Sequence, residues 1–222
     1  ILMTLQIDAS IFAKTRAEEP EADVWGEFFI PPYFDQLALA TATKSVYITG
    51  KRGCGKTMLL KYFDYHTAFS KRRGKIPASE IDHVGIYWRV DTQFCSSLNH
   101  RGIEEGEWSV VFESYFGLVI AIELLHAVNA IALSAFQDFD EATLASLAFP
   151  SAADYMDGAP TGAGDLLRYL ESLRRKFTTW VSNVKAMERP VLPPGRHFIL
   201  SMIGDLRARP ELATLSLFVY VD

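Results

Sequence analysis

One octapeptide, Gly50-Lys51-Arg52-Gly53-Cys54-Gly55-Lys56-Thr57, constrains this chain more than any other stretch, because it dictates its own backbone and both of its neighbours. It satisfies G-x-x-x-x-G-K-[ST], the phosphate loop, at every fixed position. Ahead of it, Lys44-Ser45-Val46-Tyr47-Ile48-Thr49 is β-branched and aromatic and predicts a short strand. Behind it, Met58-Leu59-Leu60-Lys61-Tyr62-Phe63 predicts a helix. The alternative, a chance Gly-rich turn, does not account for both flanks. Glycines are needed because the backbone must close around a polyphosphate with its N–H groups pointing inward, where side chains would obstruct it. Residues Gly50 to Thr57, with Met58 at the helix start, are therefore the expected nucleotide cradle. Lys56 is placed for the β- and γ-phosphates and the Thr57 hydroxyl for one position on Mg²⁺.

Charge narrows the partners. The whole chain of 222 residues carries −5, which disfavours a general nucleic-acid surface. Between Lys44 and Lys75, however, nine Lys or Arg face a single acid, Asp64. Part of that excess belongs to the loop. The remainder, Lys71-Arg72-Arg73-Gly74-Lys75, is either a solvated helix end or a contact for nucleic acid or an acidic neighbour. Only Cys54 and Cys95 are present, so neither a disulfide framework nor a thiolate zinc site is expected, and a reducing cytoplasm is the expected compartment. The five histidines lack metal-ligand spacing. No secretory signal pattern opens the chain. Its most apolar helix, around Tyr115 to Ala135, carries Glu123, His126 and Asn129 along one side, which predicts a buried helix and no membrane partner.

The remaining segments fall into order around the loop. Residues 1–27 form a polar, acidic arm expected to lie extended over the surface. Phe28 to Phe34 is too apolar for water and broken by Pro31 and Pro32, and a short helix from Tyr33 to Thr41 follows. Ile30 and Tyr33 are candidates for an apolar base pocket, or simply cap the core. After the loop, Leu59, Tyr62, Phe63, His66 and Phe69 recur at helical spacing. His83 to Asp91 reads as a second, buried strand; Arg89 and Asp91 at its end face a ligand or form a strand-end pair. Thr92 to Gly106 reads as loop. A largely helical insertion, about 104–195, contains helices Glu107–Phe136 and Asp165–Met187, the latter with Asp165 as N-cap and an i,i+4 pair Glu171–Arg175. The connection Phe149 to Gly164 is expected to be mobile. A further helix, Arg196 to Ala208, stops before Pro210.

Leu215 to Val221 is a second apolar strand that ends in Asp222. Following a phosphate loop, this is the Walker B pattern, whose carboxylate supports the Mg²⁺ water shell. Lys56 and Asp222 are accordingly the expected catalytic residues, and Thr57 and Asp222 the expected metal-side residues. The fold expected is α/β: a P-loop NTPase of three layers, αβα, with a parallel sheet and the long helical insertion between the second strand and the Walker B strand. A catalytic acid normally comes next, so the chain is expected to be part of a longer polypeptide.

Taken together, FFIPPYFDQL, YITGKRGCGKTMLLKYF, GIYWRVD and FVYVD resemble the N-terminal half of an AAA+ ATPase, and are most similar to bacterial origin-recognition-complex-type ATPases and the neighbouring STAND group. The resemblance runs from Phe28 to Asp222. It implies ATP and Mg²⁺ as ligands, a sensor, an arginine finger and a helical lid further on, and a homo-oligomer or downstream domains as partners. Roles in DNA transactions or antiphage defence are associated with such proteins. The leading expectation is an ATP-binding and ATP-hydrolysing switch domain of a larger protein. A nucleotide-gated scaffold with negligible turnover is the alternative, and a small-molecule kinase the third.

Overall fold

The computed structural model describes residues 22–26, 39, 42–80, 82–90, 95–96, 104–184 and 186–222. Ile30, Tyr33, Asp91, most of the arm, nearly all of the helix expected at Tyr33–Thr41 and most of the Thr92–Gly106 loop lie outside them. Chain order is α1 (Lys56–Tyr62), α2 (Tyr65–Ala68), β1 (His83–Trp88), α3 (Glu105–Ala132), α4 (Glu141–Ala145), α5 (Pro150–Ala153), α6 (Ala163–Ser182), α7 (Gly195–Arg207) and β2 (Ser216–Val221).

Helix α3 is the axis of the body. It is apolar on nearly every side, and α4, α6 and α7 pack around it. By length and composition it could cross a membrane, but 67% of its most apolar window is buried against the rest of the chain, as a core helix requires. Its contact with α7 is unusually close. A Cβ on Gly117 would collide with Gly195, and one on Gly195 with the Glu113 carbonyl, so the two glycines set the approach of the helices. Phe198, Met202 and Leu206 of α7 then reach the core with no exposed surface. On α6, Leu166, Leu170, Leu173, Phe177, Trp180 and Val181 recur at helical spacing and form a buried stripe. The start of α6 differs from expectation: Gly162 is the N-cap, and Asp165 lies in the first turn, paired with Arg168. The helix also ends earlier, leaving Met187 beyond it and 45% exposed. Glu171 approaches His126 of α3 at 3.8 Å.

The connection Phe149 to Gly164, expected to be mobile, is packed. Phe149 and Ala152 are fully buried, α5 rests on α7, and an antiparallel bridge joins Ala148 to Gly162. Small residues account for the difference: they let α5 come close to α7, while Phe149 anchors the segment by taking its ring out of water.

Strands β1 and β2 pair in parallel, with Val84 opposite Leu217, Ile86 opposite Val219 and Trp88 opposite Val221. Ser216 donates to the Asp82 carbonyl and Asp222 to that of Trp88. Even-numbered residues of β2 therefore direct their backbone groups toward β1, and Leu217, Val219 and Val221 direct theirs to the opposite edge. The far edge of β1 is covered by the chain at Phe63–Asp64, through a bridge from Asp64 to Gly85. Gly85 permits this, since a Cβ there would collide with the Phe63 carbonyl.

The segment Lys44–Thr49 is not a strand among the described residues. Tyr47 is 92% exposed, Val46 is 54% exposed, and a cleft of ≈ 300 Å³ lies between Lys44–Ile48 and the outer edge of β2 at Phe218–Asp222. Local β-propensity needs a ladder partner to become a strand, and across this cleft the segment has none. The three-layer sandwich is thus represented here by two paired strands, with helical packing beside them.

The helix after the loop is also divided. Phe63 ends α1, and Asp64, with extended backbone (φ −70, ψ 149), caps α2 through the His66 N–H. Asp64 is only 4% exposed, and its other oxygen accepts the Tyr87 N–H at 2.7 Å. A capping carboxylate outcompeted continuation of the apolar stripe Leu59–Phe69. His66 is consequently exposed, although it shares helical spacing with Leu59, Tyr62, Phe63 and Phe69.

Candidate functional site

The loop lies at the start of α1 on the open side of the sheet. Gly53 and Gly55 have φ of 83° and 87°, left-handed values that suit glycine, and Gly55 is the N-cap of α1. Cys54 N–H bonds to the Lys51 carbonyl at 3.3 Å and closes the turn. A Cβ on Gly50 would stand 2.7 Å from Sγ of the exposed Cys54, a contact that rotation of that side chain would relieve. Gly50, Lys51, Arg52, Gly53, Cys54 and Gly55 are exposed, and Lys56, Thr57 and Met58 are half-buried where the helix begins.

Lys56 folds back over the loop. Its Nζ donates to the carbonyls of Gly50 at 2.9 Å and Lys51 at 3.1 Å, with Cys54 Sγ at 3.6 Å. An ammonium group requires acceptors, and these carbonyls are the ones its own turn supplies.

Asp222 reaches the loop from 165 positions along the chain. Thr57 Oγ1 donates to Asp222 Oδ2 at 2.9 Å. The same oxygen accepts from Tyr87 Oη, also at 2.9 Å. Asp222 is held through its backbone as well: its N–H reaches the Trp88 carbonyl at 3.1 Å, and its carbonyl accepts from Val90 at 3.3 Å. The first turn of α1 thus meets the carboxyl ends of both strands. Thr57 and Lys61, four residues apart, share one helix face, and Lys61 Nζ stands 5.9 Å from the centre of the Tyr87 ring.

Thr57 and Asp222 offer hard oxygens that fit a small cation retaining most of its waters, as Mg²⁺ does. No group of three or more His, Cys, Asp or Glu able to hold a metal exists among the described residues. Among the described residues these oxygens therefore belong to no all-protein cage.

Two other clusters surround the site. Burial and the nearby Glu123 charge push the Tyr65 hydroxyl well above its usual range, and it donates to Glu123 at 3.0 Å. Burial alone would depress the His66 pKa, but the hydrogen bond and charge of Asp64, aided by Glu123 and Asp23, outweigh it and leave the pKa raised. Tyr220, raised mainly by burial and secondarily by Asp64, pairs with His83.

The basic turn after α2 is engaged with the rest of the chain. Arg72 donates to the Trp25 carbonyl at 3.1 Å, Arg73 pairs with Glu80 at 2.7 Å, and the Arg73 guanidinium stands 4.4 Å from the Trp25 ring centre. Val24 is fully buried and its N–H reaches Thr67 Oγ1 at 3.1 Å. The two arginines therefore fasten residues 22–26 to the end of the loop-bearing helices, while Lys71 and Lys75 are exposed.

Sequence reasoning missed Tyr87 and Asp64. A tyrosine near the end of a strand parallel to an Asp-terminated one was the available signal for the first. For the second it was an Asp immediately before a new helical turn.

A glycine loop at a helix start, facing an acidic end of a parallel sheet, is the arrangement of a P-loop α/β domain. The ORC-CDC6-like family model matches residues 10–222, and the chain belongs to that family of AAA+ ATPase-type, nucleotide-binding domains. No curated protein and no solved structure matches it.

Proposed function

We propose that this chain is the Mg²⁺–ATP-binding and ATP-hydrolysing part of a larger, cytoplasmic switch protein. The observation that carries the reading is the 2.9 Å contact between Thr57 and Asp222, which joins the loop to a carboxylate from a distant strand. In this reading the exposed loop amides and Lys56 take the triphosphate, with Lys56 exchanging the Gly50 and Lys51 carbonyls for phosphate oxygens. Lys56 then stabilises charge as it shifts toward the leaving oxygen. Thr57 keeps its hydroxyl proton directed at Asp222, which would leave its oxygen lone pairs for the cation. Mg²⁺, when bound, neutralises charge across the phosphates. Nucleotide-dependent assembly with like chains or linked domains is the proposed output.

The test is equilibrium binding of a fluorescent ATP analogue, followed by single-turnover hydrolysis in the full-length protein. Lys56→Ala is expected to weaken binding by about thirtyfold or more, and Asp222→Ala to abolish Mg²⁺-dependent turnover. Binding that is indifferent to Lys56 overturns the reading. Binding that depends on Lys56 without turnover, in the full-length protein, restricts it to a nucleotide-gated scaffold.

A further inference from the structure

The geometry points to the Tyr87 hydroxyl as a positioning group for Asp222, one that sets how strongly a divalent cation binds with the nucleotide. This rests on the proposed nucleotide site and goes beyond it by assigning a role to a residue on the neighbouring strand.

Asp222 follows the last residue of β2 and its residue surface is exposed. Such a carboxylate ordinarily rotates among several rotamers, and each one aims its oxygens differently. Here both hydroxyl donors converge on Oδ2: Thr57 from α1 and Tyr87 from β1, each at 2.9 Å. Among the described residues none donates to Oδ1, which is therefore the oxygen left for solvent or a hydrated cation. The Asp222 backbone is fixed to β1 by its bonds to Trp88 and Val90. With main chain and Oδ2 both held, the direction of Oδ1 is set as well.

The two hydroxyls are not equivalent. Thr57 stands in the first turn of α1 beside the loop, and its oxygen is itself one of those the ligand would use. Tyr87 belongs to the sheet: its N–H is bonded to buried Asp64 at 2.7 Å, and its ring lies beneath the Lys61 ammonium. Tyr87 therefore holds the carboxylate in one orientation whether the loop is filled or empty, and spares the bound state the cost of ordering it. Hydrogen-bond partners that orient a metal-side carboxylate typically change metal affinity by about 10–100-fold when removed.

The substitution that isolates this role is Tyr87→Phe, which keeps the ring and removes only the hydroxyl. The measurement is binding of a fluorescent ADP to the chain, first in EDTA and then across a Mg²⁺ titration. The expected result is a Mg²⁺ midpoint raised about tenfold, the low end of that range, with affinity in EDTA changed by less than about twofold. In an Asp222→Asn background, Tyr87→Phe is expected to add no further shift, because the hydroxyl acts through that carboxylate. A midpoint within about twofold of the parent overturns the inference, since removal of the hydroxyl then leaves the carboxylate equally competent. So does an equal loss in EDTA, which marks general damage, or an undiminished shift in the Asp222→Asn background. A parent chain that binds no ADP under either condition removes the nucleotide reading itself, an outcome separate from parent binding that Tyr87→Phe leaves unchanged.

Discussion

Around α3, the side chains of Leu118, Leu124, Val128, Phe198 and Met202 have no exposed surface, whereas the loop Gly50–Gly55 lies open and Tyr47 before it is 92% exposed. The helical body is held by apolar area. The loop end is held by a few directed bonds: Lys56 to its own turn, Thr57 and Tyr87 to Asp222, and Asp64 to Tyr87. Burial of large apolar side chains is worth roughly 1.5–3 kcal/mol each, against about 1 kcal/mol net for an ordinary hydrogen bond. Stability thus resides mainly in the body, and the open end is free to exchange partners. Asp64, buried between α2 and β1, is the joint between them.

The division breaks most visibly if a core change reaches the loop. Phe198→Ala should cost about 3–5 kcal/mol in urea unfolding by leaving a cavity beside α3. ATP affinity measured well below the unfolding midpoint should be unchanged, and a parallel loss of affinity would refute the separation. Lys56→Ala is the converse. It should lower ATP affinity by thirtyfold or more, on the order expected for a charged hydrogen-bond partner, and leave the unfolding midpoint where it was.

Asp64→Ala sharpens the comparison, because the joint should register on both scales. Loss of its bonds to the Tyr87 and His66 N–H groups should destabilise the chain by about 1–3 kcal/mol in the same unfolding assay. It should also weaken Mg²⁺-dependent nucleotide binding, since Tyr87 loses its anchor. A stability change without that second effect would make Asp64 a cap alone.

The smallest effect concerns pH. The raised pKa of His66 means its folded form holds a proton more tightly than the unfolded chain does. Its stabilisation is fully present below the unfolded value of about 6.5 and is lost as pH rises through the folded value. Denaturation series from pH 6 to pH 8 should show a decline that is absent in His66→Gln. The ring is substantially exposed, so solvent screening keeps the decline small.

Local patterns were legible where local physics governs the outcome. The loop needs its glycines wherever it occurs, and the α6 stripe from Leu166 to Val181 follows from helical spacing. Asp222 was visible because an apolar strand stops at a carboxylate. Features decided by a distant partner were not visible. Lys44–Thr49 has the composition of a strand, yet pairing depends on a neighbour that spacing cannot reveal. The apolar residues on either side of Asp64 suggested one helix, and only the distant Tyr87 N–H explains why a buried acid breaks it. Phe149 to Gly164 looked loose because small residues carry no periodicity, although they are what permits its tight packing.

The contact between Thr57 and Asp222 also has a consequence during synthesis. Their separation of 165 residues corresponds to roughly 10–30 s of translation at typical elongation rates. Through that interval the nascent loop is made but has no carboxylate to meet, while the α3 bundle between them has time to form. The loop and its carboxylate are therefore joined late, when the strand bearing Asp222 leaves the ribosome and pairs with β1.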